Sequence, residues 1–351
     1  MGATRRPALR VAIVGGGVAG ALLALRAVTA PAAARVDLFT AGAPGQGDAS
    51  GVSGGLVRGF EAGTDACRAA AESVAEIRDS AVLRDWTGYR ETGSLYVLPD
   101  GAETEGPVAV LAAYLPGSAE VIGRDRVLRD FPFRTLPDGA VAVVERHAGH
   151  ISPQRLRTAA LREAVAAGAT VRATPVDVVT RGPSVRTADG GEHPYDHVVL
   201  AAGAWTPRLL TRSGLPAGGL RTKQIQYSVG ETSLAGLGSF VDESSGLYGR
   251  PYGDGAFLLG LPTDRWDADP DTVRPDASLA ERVERCAERV FGVPFTAGRT
   301  VAACDCYHDT PGLLLRRVGP GLHTFTGGSG GAAKTVLSAS RTAAATLLTS
   351  T

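Results

Sequence analysis

Near the start of the chain an apolar strand, Val11 to Val14, runs directly into Gly15-Gly16-Gly17-Val18-Ala19-Gly20, and mostly small, apolar residues continue to Ala27. Strand, G-x-G-x-x-G turn and helix in that order open a βαβ nucleotide-binding unit. Gly15 permits the tight turn, Gly17 lets a pyrophosphate approach the backbone, and Gly20 lets the helix pack closely on the strand. The helix N-terminus then presents unpaired N–H groups and a positive dipole end to the phosphates. Three glycines alone fit any glycine-rich loop; a second strand over Val36 to Phe39 favours a dinucleotide site. At the end of that strand an Asp or Glu normally accepts the ribose hydroxyls, and here the position is Thr40. Asp37 comes too early in the strand to reach. Either Thr40 makes a weaker, neutral hydrogen bond, or ribose recognition moves elsewhere.

A chain of 351 residues holds one large domain or two interleaved ones. Its 36 basic and 36 acidic residues cancel, which gives no case for a nucleic-acid or anionic-membrane partner. Cys67, Cys286, Cys304 and Cys306 lack zinc-site or disulfide-framework spacing and suit a reducing cytoplasm, where we expect the protein. Arg5-Arg6 and the apolar stretch ending Ala30-Pro31-Ala32-Ala33-Ala34 imitate a signal peptide, but the glycine spacing explains that stretch better. No other window reaches the roughly eighteen apolar residues of a membrane span. Only Lys223 and Lys334 are lysines; every other basic residue is arginine. For Lys223 the preferred reading is chance survival.

The pattern alternates strand and helix at first and then becomes strand-rich. Thr40 to Gly55 reads as a loop with Asp48-Ala49-Ser50-Gly51 as its turn, and Ala66 to Leu83 as one helix. Ser94 to Leu98 alternates like a strand. Ser152-Pro153 introduces a helix over Gln154 to Ala167, punctuated by Gly168. His197 to Ala202 is a buried strand ending in Gly203-Ala204-Trp205. Gln224 to Gly230 and Gly255 to Leu261 belong to a second sheet. Ser278 and Glu281 stand at capping-box spacing for a helix over Leu279 to Val290. Leu322 to Thr326 runs into Gly327-Gly328-Ser329-Gly330-Gly331, and a last helix covers about Val336 to Leu348. No repeat or linker interrupts the chain, so two interleaved domains are expected. The fold class is α/β (α+β overall): a Rossmann-type FAD-binding domain over 1–85, 148–215 and 300–351, and a substrate domain over 86–147 and 216–299 built on a mostly antiparallel sheet.

FAD enters that description through a resemblance. The fingerprint, the segment Val198-Val199-Leu200-Ala201-Ala202-Gly203-Ala204-Trp205 and the glycine run before the last helix occur in the order found in the D-amino-acid-oxidase superfamily. Within it the chain resembles the branch of glycine oxidase and monomeric sarcosine oxidase, over nearly its whole length. The resemblance implies a pyrophosphate at Gly15, Gly17 and Gly20, with Thr40 at the ribose position. Further flavin contacts would come from Ser50, Gly51, Val176, Ala202 and Gly203. Gly330, Gly331 and Lys334 would lie beside the isoalloxazine, where the last helix N-terminus favours negative charge. A flavin hydroxylase would show a Gly-Asp pair where Thr326-Gly327 stands, and a halogenase a Trp-rich motif absent here.

Gly54-Gly55-Leu56-Val57-Arg58 resembles the sarcosine-oxidase segment whose arginine grips the substrate carboxylate; Ser329-Gly330-Gly331-Ala332-Ala333-Lys334 resembles the segment whose lysine adds the second contact. A carboxylate entering a partly dry pocket needs opposite charge and hydrogen bonds to offset desolvation, and fixing it aims the Cα–H at flavin N5. Tyr248 resembles a pocket tyrosine, and Arg250 offers a third cation for a second acidic group. Two departures stand out. The strand position that carries an oxygen-activating lysine in sarcosine oxidase falls in Phe257-Leu258-Leu259-Gly260 and is leucine. The cysteine that tethers FAD in some relatives falls near Cys304-Asp305-Cys306-Tyr307, one residue out of register for either thiol. Cys306 is the candidate tether; the alternative is two half-buried thiols. No metal site is expected, because no second ligand pair lies near these cysteines.

The resemblance therefore implies an enzyme that oxidises the C–N bond of a small amino acid or N-alkyl amino acid, with O2 or another acceptor as its second partner. The alternatives are a dehydrogenase of the same fold, a non-catalytic FAD-binding subunit, or an enzyme for a carrier-bound intermediate without a free carboxylate.

Overall fold

The computed structural model describes residues 8–31, 34–42, 48–253 and 255–349. Arg5 and Arg6 of the leader-like start, Ala32 and Ala33 at its end, and residues 43–47 of the expected loop lie outside them. A six-stranded sheet forms the first layer, in the order Leu314–Gly319, Leu322–Thr326, His197–Leu200, Arg10–Val14, Arg35–Phe39, Thr170–Arg172. All neighbours are parallel except the first pair. Its central strands are apolar on both faces because both faces are covered. Helices Val18–Thr29, Thr64–Asp79, Pro153–Ala166 and Ala332–Thr349 share one core with one face, including Leu22, Val74, Leu156 and Leu337. On the other face a three-stranded sheet, Val176–Thr180, Ser184–Thr187 and Glu192–Pro194, joins Ala12, Val14, Val198 and Leu200 in a separate core.

The second layer is an eight-stranded sheet in the order Thr296–His308, Leu220–Glu231, Ala256–Gly260, Tyr248–Pro251, Ser239–Asp242, Ser94–Leu98, Val141–Glu145, Ala119–Gly123. It is antiparallel throughout except where Ser239–Asp242 runs parallel to Ser94–Leu98. Helix Ala277–Phe291 packs Leu279, Val283, Cys286, Ala287 and Val290 against it at helical spacing. Strand Thr296–His308 pairs with Leu220–Glu231 along its whole length, so the division expected at residue 300 falls inside a strand of this sheet.

Several expected boundaries move for local reasons. The helix expected over 66–83 is two, Thr64–Asp79 and Ala81–Thr87, because Ser80 leaves helical geometry and caps the second by accepting from Leu83 N at 3.2 Å. Asp276, not Ser278, caps helix Ala277–Phe291, accepting from Ser278 N at 2.8 Å and Leu279 N at 3.3 Å. The expected loop over 40–55 contains a short helix, Ala49–Val52, capped by Asp48. The last helix begins at Ala332, four residues early, which puts Lys334 in its first turn. No helix of the described residues is long and apolar enough to cross a membrane.

Candidate active site

The glycine turn is held by backbone contacts that exclude any side chain at two positions. Gly15 has φ +122°, and a Cβ there would stand 2.4 Å from Ala201 O and 2.7 Å from Ala202 Cα. At Gly20 a Cβ would stand 2.0 Å from Gly15 O. Gly17 faces open space, with only Ser50 Oγ near, at 3.4 Å. Ser50 Oγ accepts from Val18 N at 3.0 Å, the first N–H of helix Val18–Thr29, which has no cap from Gly17 itself. Such a glycine-lined helix N-terminus, with Ser50 at its edge, fits a pyrophosphate. Gly51 N is turned back on Asp48, which also pairs with the buried Arg157 at 2.7 Å. Thr40 borders the turn with its Oγ1 donating to Gly42 O at 3.2 Å, while Asp37 accepts from Tyr195 at 2.6 Å. Ala202 and Gly203 lead from the strand His197–Leu200 into a short 3-10 turn beside Gly15. Val176 opens the three-stranded sheet and is not on the wall of the central cavity.

That cavity measures about 620 Å³ and reaches from Val18 and Ser50 to Arg58, Tyr248 and Lys334. Arg58 follows the two-residue strand Leu56–Val57, which pairs with Gly149–His150. The next turn is fixed by the buried Glu145, whose carboxylate accepts from Gly59 N at 2.7 Å and Phe60 N at 2.9 Å. Arg58 donates from Nε to Phe60 O at 3.1 Å and lies with Cζ 4.6 Å from the Tyr96 ring centroid. Its Nη2 is 2.8 Å from Glu61 Oε1, and Lys334 Nζ is 2.7 Å from the same oxygen. The two cations thus meet on one carboxylate that sequence reasoning passed over, although Glu61 stands at ion-pairing spacing from Arg58. Arg58 and Lys334 hold the Glu61 carboxyl below its usual range against the opposing effect of burial; burial, then Arg58, lowers the Lys334 amine.

The far wall comes from the eight-stranded sheet. Tyr248 donates to Gln226 O at 3.3 Å, and its ring occupies the space a Cβ on Gly260 would fill, 2.3 Å from Cζ. Burial raises its phenol well above the ordinary value. Lys223 also lines the cavity, its Nζ 4.6 Å from the Trp266 centroid and 5.6 Å from that of Tyr307. Both lysines of the chain therefore face one cavity. Strand alternation turns Asp305 and Tyr307 toward the cavity and Cys304 and Cys306 away from it. Cys306 is buried in the apolar cluster with Val14 and Leu322, and burial pushes its thiol up to about 11. The expected tether is thus not supported: the thiol faces away from the cavity, and the thiolate a covalent bond would need is disfavoured. Arg250 is also corrected. It donates from Nη1 to Pro251 O at 2.7 Å and from Nε to Gly54 O, bracing the loop before Arg58 rather than lining the cavity. Gly330 and Ser329 complete the wall, Ser329 with φ +55°, a strained value for a residue with a side chain. Gly331 lies with its bare Cα beside Lys334, where a Cβ would stand 3.3 Å from Nζ. Among the described residues no group of three or more His, Cys, Asp or Glu side chains is placed to hold a metal ion.

A parallel sheet with a glycine cradle at the carboxyl end of its first strand, opening into a cation-bearing pocket on an antiparallel sheet, defines a dinucleotide-dependent oxidoreductase. More particularly, the chain belongs to the FAD dependent oxidoreductase family, whose model matches residues 10–346. It is 27% identical over 211 residues to monomeric sarcosine oxidase of Streptomyces avermitilis, a match covering 56% of this chain and 51% of that protein. The chain thus spans about half the length of that curated relative. Two solved structures share the fold: L-proline dehydrogenase from P. horikoshii (TM-score 0.78, 17% identity, 97% of this chain and 93% of that one) and glycine oxidase from Geobacillus kaustophilus (TM-score 0.73, 22% identity, 97% and 95%). FAD is the family's cofactor, and the cradle at Gly15 to Gly20 fits its pyrophosphate.

Proposed function

We propose that this protein oxidises the C–N bond of a small amino acid or N-alkyl amino acid and passes the electrons to O2. The observation that carries the reading is the meeting of Arg58 and Lys334, 276 positions apart in the sequence, on the wall of the cavity that also contains Ser50 and Val18. Two cations against the single carboxylate of Glu61 leave one net positive charge, which suits a monocarboxylate. Arg58 offers a fork of donors and Lys334 a point charge, so together they fix the carboxylate in position and direction. FAD held at the Gly15 to Gly20 cradle would supply the two-electron acceptor, and the residues of the cavity fix which substrate hydrogen is presented to it. Tyr248, locked by Gly260 and Gln226, closes the pocket opposite the cations and limits substrate bulk. In this reading segments 1–85, 148–215 and 300–351 bind FAD, apart from the strand running to His308, and 86–147 and 216–299 bind substrate. Ser50, Gly51, Ala202, Gly203 and Gly330 contact the cofactor, and Thr40 and Val176 lie toward its adenosine end.

A second reading keeps the same chemistry but sends electrons to a non-oxygen acceptor. It is favoured by Leu258 and Leu259, both fully buried where a relative carries its oxygen-activating lysine. Anaerobic addition of an amino-acid panel to the yellow holoenzyme tests the common step, since a substrate bleaches the flavin. Peroxide formed per turnover then separates oxidase from dehydrogenase. Unchanged kcat/KM in both Arg58→Ala and Lys334→Ala would remove the carboxylate-binding role.

A further inference from the structure

The cavity has a second pole. Asp305 is 93% buried by accessible surface, being 7% exposed, and lines the cavity from strand Thr296–His308. Among the described residues no hydrogen-bond donor or cation reaches its carboxylate. Gly330 leaves one side of it bare: a Cβ on that glycine would stand 3.6 Å from Oδ2. Lys223 is directly across the strand pair, yet its amine lies over Trp266 and Tyr307 instead of on Asp305. Tyr248, three strands along the sheet, and Tyr307, on the same strand as Asp305, face the carboxylate; Cys304 and Cys306 lie behind it as thiols. Arg58 and Lys334 pair with Glu61 and not with Asp305. A buried carboxylate with no partner is costly, and folded proteins retain one where a ligand completes it. Aromatic rings around a carboxylate are the chemistry that receives an alkylammonium ion.

We propose that Asp305 receives the ammonium group of the substrate and accepts one of its protons, so that the amine is neutral when the α-carbon is oxidised. The inference rests on the amino-acid reading above and adds to it the group that recognises and deprotonates the amine. The step moves one proton from nitrogen to a carboxylate oxygen and frees the nitrogen lone pair; no electrons change hands. Burial pushes the Asp305 carboxyl up to about 7, which brings its proton affinity closer to that of an ammonium ion than an ordinary aspartate's.

The test uses two ligands that cannot be oxidised at the α-carbon through an amine. 2-Aminoisobutyrate has both charged groups and no α-hydrogen; isobutyrate has the carboxylate alone. Each is titrated into the holoenzyme from pH 5.5 to 9 and followed by the change in flavin absorbance. In the wild type, affinity for 2-aminoisobutyrate rises with pH through about 7 and then levels. Asp305→Asn abolishes that rise and weakens 2-aminoisobutyrate by about 10- to 100-fold, the loss of a hydrogen bond to a charged group. It leaves isobutyrate unchanged or tighter, and Asp305→Glu restores the pH dependence. Equal weakening of both ligands, with a shifted flavin spectrum before ligand is added, would mean that Asp305 serves the cofactor and overturns the inference. So would an unaltered pH profile. Failure of the wild type to bind isobutyrate would instead strike at the carboxylate pole, and the amino-acid reading and this inference would fall together.

Discussion

Glu61 makes the sharpest test of the site's electrostatics. Arg58 Nη2 and Lys334 Nζ lie 2.8 and 2.7 Å from one oxygen of Glu61. The two nitrogens are therefore at most about 5.5 Å apart, and at an effective dielectric near 20 their bare repulsion is at least about 3 kcal/mol. Glu61→Gln keeps the shape and an acceptor but removes the charge that offsets this repulsion. The ligand-free holoenzyme should lose about 3 kcal/mol of stability, within the usual range for breaking a buried pair, and melt several degrees lower. A carboxylate ligand should then bind more strongly, because it restores the missing charge. If about half of the repulsion is relieved on binding, isobutyrate affinity rises roughly tenfold. Differential scanning calorimetry with and without isobutyrate, at low ionic strength, reads both effects. A melting temperature unchanged in the variant, or an isobutyrate affinity unchanged from wild type, would refute the reasoning.

Other expectations follow from single contacts. Gly20→Ala drives a methyl to within 2.0 Å of Gly15 O, so the cradle must open. FAD should be retained poorly on gel filtration, with an overpacking cost of about 1–3 kcal/mol. Gly260→Ala pushes Tyr248 toward the cavity, which should raise KM for bulky amino acids more than for glycine in steady-state assays. Cys306→Ser should leave flavin content unchanged, and acid precipitation of either form should release the yellow colour to the supernatant. Asp305→Asn should also alter stability with pH. The folded carboxyl titrates near 7 and an unfolded one near 3.9, so below the lower value both states hold the proton. As pH rises toward about 7 the wild type loses stability that asparagine does not lose. The melting-temperature gap in favour of the variant should open between those values and stay constant above; a gap independent of pH would count against a buried, unpaired Asp305.

The glycine turn, the strands Ser94–Leu98 and Leu322–Thr326 and the helix after Ser152-Pro153 were legible because each is written in a short stretch of chain. Turn chemistry, alternation and caps are local signals. Arg58 and Lys334 were legible only through resemblance, since nothing in either segment alone says that the two side chains meet. Glu61 and Asp305 were not found. Asp305 acquires its meaning from the pairing of its strand with Leu220–Glu231 and from the bare flank left by Gly330, both of them long-range facts. Arg250 misled for the same reason: a cation near a pocket sequence looks like a ligand until its carbonyl partners are known. The rarity of lysine is a compositional signal, and both lysines line the same cavity.

The last helix carries Lys334 in its first turn and is anchored farther along. Ser338 N donates to Ser73 at 3.1 Å, and Arg341 reaches Glu72 and Glu76 at 3.0 and 2.7 Å. The pyrophosphate cradle at Gly15 to Gly20 and Lys334 lie more than 300 positions apart in the sequence. Contacts so distant in sequence form slowly. The six-stranded sheet itself draws on Leu314–Gly319 and Leu322–Thr326, and the last helix fills its core, so the nucleotide fold and the placement of Lys334 are completed together.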